Sequence, residues 1–77
     1  SEFTLSTLFI IPGKPFDSGK ARGDEILLCT AGHGALIDGG NNETIPMAKG
    51  ASVIVPASVS NYRIEGEATF FRATVNM

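Results

Sequence analysis

The side chains able to do chemistry are few and scattered. His33 is the only histidine and Cys29 the only cysteine in 77 residues. An imidazole titrates near neutral pH and can serve as acid or base. His33 stands between Gly32 and Gly34 with no acidic or nucleophilic neighbour in sequence, which fits an exposed turn histidine better. Cys29 lies in the most apolar segment, where a cysteine behaves as a small buried hydrophobe rather than a reactive thiol. No histidine and hydroxyl pair suggests a nucleophilic triad. Lys14, Lys20 and Arg22 place three cations in one glycine-containing loop, and cations with backbone amides cradle anions such as a sugar phosphate. The loop lacks the strand, long glycine frame and helix of a phosphate-binding loop, so a solvated loop is the simpler reading. Arg22-Gly23-Asp24 and Asn42-Glu43-Thr44 spell an adhesion tripeptide and a glycosylation acceptor. No secretion signal accompanies them, and both are read as chance.

The elements that must position these groups are short strands. Nine glycines and four prolines cut the chain into brief segments, and helix signals are nearly missing. Strands are expected at Phe3 to Ile11, Glu25 to Thr30, Ala35 to Ile37, Glu43 to Met47, Ser52 to Val55, Asn61 to Ile64 and Thr69 to Val75. Phe16 to Asp24 is polar and reads as a loop. Gly32-His33-Gly34 and Glu65-Gly66-Glu67 read as turns, and Asp38-Gly39-Gly40-Asn41 as a tight hairpin turn. About seven short strands at close spacing favour a sandwich or small barrel. Ile26, Leu28, Val53, Val55 and either Phe70 or Phe71 are expected to point inward; Phe70 and Phe71, being adjacent, must face opposite sides.

Length and charge bound the rest. Seventy-seven residues make one domain, with a core that buries only about 60% of the unfolded chain's surface. A net charge of −2 gives no footprint for nucleic acid or an anionic membrane, and no apolar run is long enough to span a bilayer. A single cysteine fits a reducing compartment, and a cytoplasmic location is expected. The chain opens almost directly into a strand pattern and reads as a piece of a longer protein or as a processed product.

ILLCTAGHGALIDGG (Ile26 to Gly40), followed by IPMAKGASVIVPA (Ile45 to Ala57), resembles the C-terminal cupin domain of type I mannose-6-phosphate isomerases. FTLSTLFI (Phe3 to Ile10) resembles the strand that enters that domain, and IEGEATFFRATV (Ile64 to Val75) resembles its last two strands. GASVIVPASVSN (Gly50 to Asn61) has the layout of the second cupin motif: a turn glycine, a strand, a proline and a ligand-bearing position. The resemblance covers nearly the whole chain. It implies an all-β, cupin-like small antiparallel barrel, or jelly roll, over residues 1–77, as the C-terminal fragment of a longer chain.

It also implies a division of labour. Such enzymes interconvert mannose 6-phosphate and fructose 6-phosphate with a bound zinc held in an N-terminal cupin domain, and their C-terminal cupin is a packing partner without its own metal. Glu25 lies seven residues before Gly32, as the carboxylate of the first cupin motif lies before its glycine. The two histidine positions fall near Gly19 and Ala21, which bind no metal, and the third falls at Asn61, a poor zinc ligand. No catalytic or metal-binding residue is therefore expected, and Glu25 and Asn61 mark the degenerate positions. The expected partner is the N-terminal catalytic cupin of the same parent, and pairing of two copies through edge strands is compatible with the fold. The alternative is a stand-alone degenerate cupin that binds a sugar or anion through the basic loop with Asn61 and Tyr62 at the barrel mouth.

Overall fold

The computed structural model describes residues 2–19, 23–40, 42–59 and 61–76. Six antiparallel strands and no helix are present among them: β1 (Glu2–Ile10), β2 (Phe16–Asp17), β3 (Glu25–Asp38), β4 (Thr44–Ala48), β5 (Ser52–Val55) and β6 (Tyr62–Asn76). No helix is long and apolar enough to cross a membrane among the described residues.

The fold is organised by one long pair. β3 and β6 run antiparallel from Glu25 opposite Thr74 to Asp38 opposite Tyr62. Shorter strands flank each half of this pair. β5 lies beside residues 25–28 of β3 and β1 beside residues 68–76 of β6. β4 lies beside residues 33–37 of β3 and β2 beside residues 63–64 of β6. One half is thus ordered β1-β6-β3-β5 and the other β2-β6-β3-β4.

The two halves fold over one another. Asp38 stands thirteen residues beyond Glu25 on β3, about 40 Å in an extended strand. The molecule measures only 32 × 25 × 19 Å, and the Tyr62 hydroxyl, at the Asp38 end, donates a hydrogen bond to Glu25 at the other end. The bend lies where Gly34 pairs with Gly66 and Gly32 with Ala68. A Cβ on Gly66 would stand 2.7 Å from the Gly34 Cα, and Gly66 has φ +121°. A β-bulge between Cys29 and Ala31 shifts the register just before the bend, where the Thr30 hydroxyl donates to the Thr69 carbonyl at 3.2 Å.

These features revise the expected strands. The residue types that signal turns at 32–34 and 65–67 lie inside continuous strands, because two paired strands that bend together need the same close backbone approach and positive φ as a turn. Four expected strands therefore merge into β3 and β6, while the loop at 16–24 contributes the short β2. The chain does reverse from β3 into β4 after Asp38, with the Asp38 amide donating to the Glu43 carbonyl at 2.9 Å. The left-handed residue there is Asn42 (φ 60°) rather than Gly39 or Gly40, and Asn41 of the expected tight turn lies outside the described residues.

The inward face is corrected at β3. Leu27 and Cys29 are fully buried, whereas Ile26 and Leu28 face outward with 46% and 36% exposure. EILLCT is apolar at both parities, so its pattern does not name a face; burial of Glu25 fixes the odd positions inward. Val55 and Phe70 are buried, Val53 packs against the core, and Phe71 faces out, in keeping with the other inward positions expected.

Candidate functional site

The polar centre of the molecule is built on Glu25, the first residue of β3. Its side chain is completely buried. Arg72 Nε donates to Glu25 Oε1 at 2.9 Å and Arg72 Nη2 to Oε2 at 2.8 Å, a two-pronged guanidinium–carboxylate pair. Arg72 stands opposite Leu27 on β6, one inward position from Thr74, the strand partner of Glu25. The two charges are therefore diagonal neighbours on one sheet face. The Tyr62 hydroxyl reaches Oε1 from the other half of the fold. The Phe16 ring lies 5.4 Å below the Arg72 guanidinium and 6.2 Å from the Tyr62 ring, so β2 covers the cluster. Outside it, the Ala57 amide donates to Asp24 Oδ1 at 2.7 Å, tying the entry of β3 to the loop after β5.

Each partner's acidity follows from this geometry. Burial, then the Glu25 carboxylate that accepts its hydrogen bond, raise the Tyr62 phenol above its ordinary value. The hydrogen bond to Glu25 raises the Arg72 guanidinium further, against the opposing cost of its burial. A buried carboxylate without a counter-charge is costly, and the guanidinium supplies that counter-charge inside the protein.

Residues 19–75 match the family model for the cupin domain of mannose-6-phosphate isomerase. The chain belongs to that family. A crystal structure from Ralstonia eutropha JMP134, provisionally named a mannose-6-phosphate isomerase, is similar in fold. Its TM-score is 0.58 at 21% identity, over 97% of this chain and 71% of that one. No curated protein matches the sequence.

In this mannose-6-phosphate isomerase cupin domain, the described interior does not fit a zinc of the kind the resemblance implies for the parent. Glu25 is the residue expected at the carboxylate position of the first motif, and both its oxygens accept from Arg72, one also from Tyr62. A cation brought to Glu25 would meet the guanidinium charge at hydrogen-bonding distance. Among the described residues, no three His, Cys, Asp or Glu side chains gather where a metal could sit. His33 is exposed on the bend, in register with Ala48 and Glu67.

The remaining sequence candidates are dispersed. Asn61 is half-buried at the hairpin after β3, where its carbonyl accepts from the Gly39 amide at 2.9 Å. Its side chain fills the space a Cβ on Gly39 would need. The residue that enters the interior from this segment is its neighbour Tyr62. Lys14 is exposed in the turn between β1 and β2, its amide donating to the Ile11 carbonyl at 3.2 Å. Lys20 and Arg22 lie outside the described residues. A cavity of about 90 Å³ opens between β4 and β5, walled by Leu36, Ile45, Val53 and Val55 with Tyr62 behind them. Ligand pockets hold roughly 300–1,000 Å³.

Sequence reading missed Arg72 altogether and placed Tyr62 at the barrel mouth. The available signal was an arginine inside TFFRATV and a glutamate heading EILLCT: two opposite charges in strongly apolar strands, which are seldom buried unless paired.

Proposed function

We propose that this chain is a non-catalytic cupin domain of a mannose-6-phosphate isomerase-like protein, the parent of which interconverts mannose 6-phosphate and fructose 6-phosphate. The observation that carries the reading is the Glu25–Arg72 pair: the acid at the first-motif position is neutralised by an arginine from β6. A fixed guanidinium does the electrostatic job that a divalent cation does in a metal-bearing barrel, and it offers no open coordination position to a substrate. In this reading the zinc and the proton-transfer groups belong to an N-terminal catalytic cupin of the parent, and this domain packs beside it in the reducing cytoplasm. The domain's own contribution is a stable, internally neutralised barrel.

The test is direct. The purified chain is assayed for hexose-phosphate isomerisation and for metal content after exposure to zinc. The expected result is no turnover and zinc far below one equivalent. Turnover accompanied by one zinc per chain would overturn the reading.

A further inference from the structure

The outer face of the β1-β6-β3-β5 half carries two cross-strand ladders without a charged side chain. In the first, Leu5 is opposite Ala73, Ala73 opposite Ile26, and Ile26 opposite Ile54. In the second, Thr7 is opposite Phe71, Phe71 opposite Leu28, and Leu28 opposite Ser52. Leu5, Ile54 and Phe71 are 70%, 69% and 51% exposed, and Phe9, farther along β1, is 75% exposed. With Ile26 and Leu28, these side chains expose on the order of 700 Å² of apolar surface, above the ~300–600 Å² of the largest patch on a typical monomer and near the ~800 Å² per partner of a standard interface.

We propose that this face is the interface of a homodimer and that a second copy of the chain covers it. An uncharged face is best matched by another uncharged face, and in a two-fold dimer the same patch must fit itself. The ladders meet that condition. A two-fold axis running across the strands, midway between the ladders, lays the first ladder of one copy on the second ladder of the other. Leu5 then faces Thr7, Phe71 faces Ala73 and Ile54 faces Ser52, so a large side chain meets a small one at each of these positions. Ile26 faces Leu28 at the remaining one. A shallow hollow of about 230 Å³ lined by Leu5, Ser6, Thr7 and Phe71 lies where the partner's Leu5 would enter, between Leu5 and Phe71 of this copy. Face-to-face pairing of two sheets at about 10 Å is an ordinary sandwich core. This differs from edge pairing, because no strand of one copy extends the sheet of the other. It is independent of the neutralised interior on which the non-catalytic reading rests, and it leaves the rest of the surface to the parent's N-terminal cupin.

Sedimentation equilibrium of the intact chain at micromolar concentration tests it. The expected mass is twice the 8.1 kDa of one chain. Phe71→Glu is expected to weaken association by roughly thirtyfold or more, as for a residue at the centre of an interface. Leu5→Lys, on the exposed edge strand, should do the same and guards against misfolding of the first variant; circular dichroism identifies the folded ones. Ile45→Lys, on exposed β4 in the other half, should leave the dimer intact. A monomeric wild-type chain overturns the proposal and leaves the face to another partner. A dimer that survives both Phe71→Glu and Leu5→Lys, or one that Ile45→Lys breaks, also overturns it.

Discussion

Tyr62 and Glu25 belong to opposite ends of the β3–β6 pair, yet the phenol of one donates to the carboxylate of the other. Their contact closes the folded sheet, and Arg72 completes it from the strand beside Glu25. Stability, alkaline sensitivity and the absence of metal chemistry in the proposed function all meet at these three side chains.

Breaking the ion pair from one side should be worse than removing it. Arg72→Met leaves a fully buried carboxylate without its guanidinium, and an expected loss of about 3–5 kcal/mol follows. The double variant Glu25→Leu with Arg72→Met should regain most of that loss, because two apolar side chains replace two desolvated charges. Urea denaturation of both variants checks the order. A double variant less stable than Arg72→Met would show that the carboxylate left without its guanidinium is not what costs the stability.

Alkaline pH should unfold the domain through Tyr62. The folded phenol is raised above its ordinary 10.0. Its contribution to stability is therefore fully present below pH 10 and is lost as pH rises from there toward the folded value. Tyr62 is the only tyrosine, so tyrosinate absorbance reports this group alone. It should appear together with the loss of β-sheet circular dichroism. Tyr62→Phe should lower stability at neutral pH by about 1–3 kcal/mol while flattening its decline above pH 10. Tyrosinate forming near pH 10 with the sheet intact would contradict the buried hydrogen bond.

The bend should tolerate no side chain. Gly66→Ala puts a Cβ at 2.7 Å from the Gly34 Cα with φ at +121°, and the expected cost is at least about 2 kcal/mol. Gly13→Ala serves as the comparison: φ is +81° but nothing lies within 4 Å of the added Cβ. Its cost should be about 1 kcal/mol. Equal midpoints in urea for the two variants would mean that the bend is not set by backbone approach.

Cys29 should be silent until the domain opens. The thiol is fully buried and lies within 3.4 Å of the Ala31 carbonyl at the bulge. Thiol reagents should label the native protein at a rate that falls with added stabilising osmolyte and rises with urea, tracking opening rather than reagent access. Fast labelling without denaturant would place Cys29 outside the core.

The sequence by itself determined the all-β class, the family and the chain reversal after Asp38, because these rest on local residue types: strand formers between glycines, and a stretch of Asp, Gly and Asn that favours a turn. It also determined that Phe70 and Phe71 part company, since alternation is a property of any strand. Only the tertiary structure decided which parity of EILLCT faces inward. Both parities are apolar, and the choice depends on an arginine 47 positions away that reaches Glu25. The tertiary structure likewise turned two apparent turns into one bend. Gly34 and Gly66 each look like a chain reversal alone; paired across two strands, they let a continuous sheet fold over itself. Local chemistry names a glycine's freedom, but which backbone approaches it is a property of the whole fold.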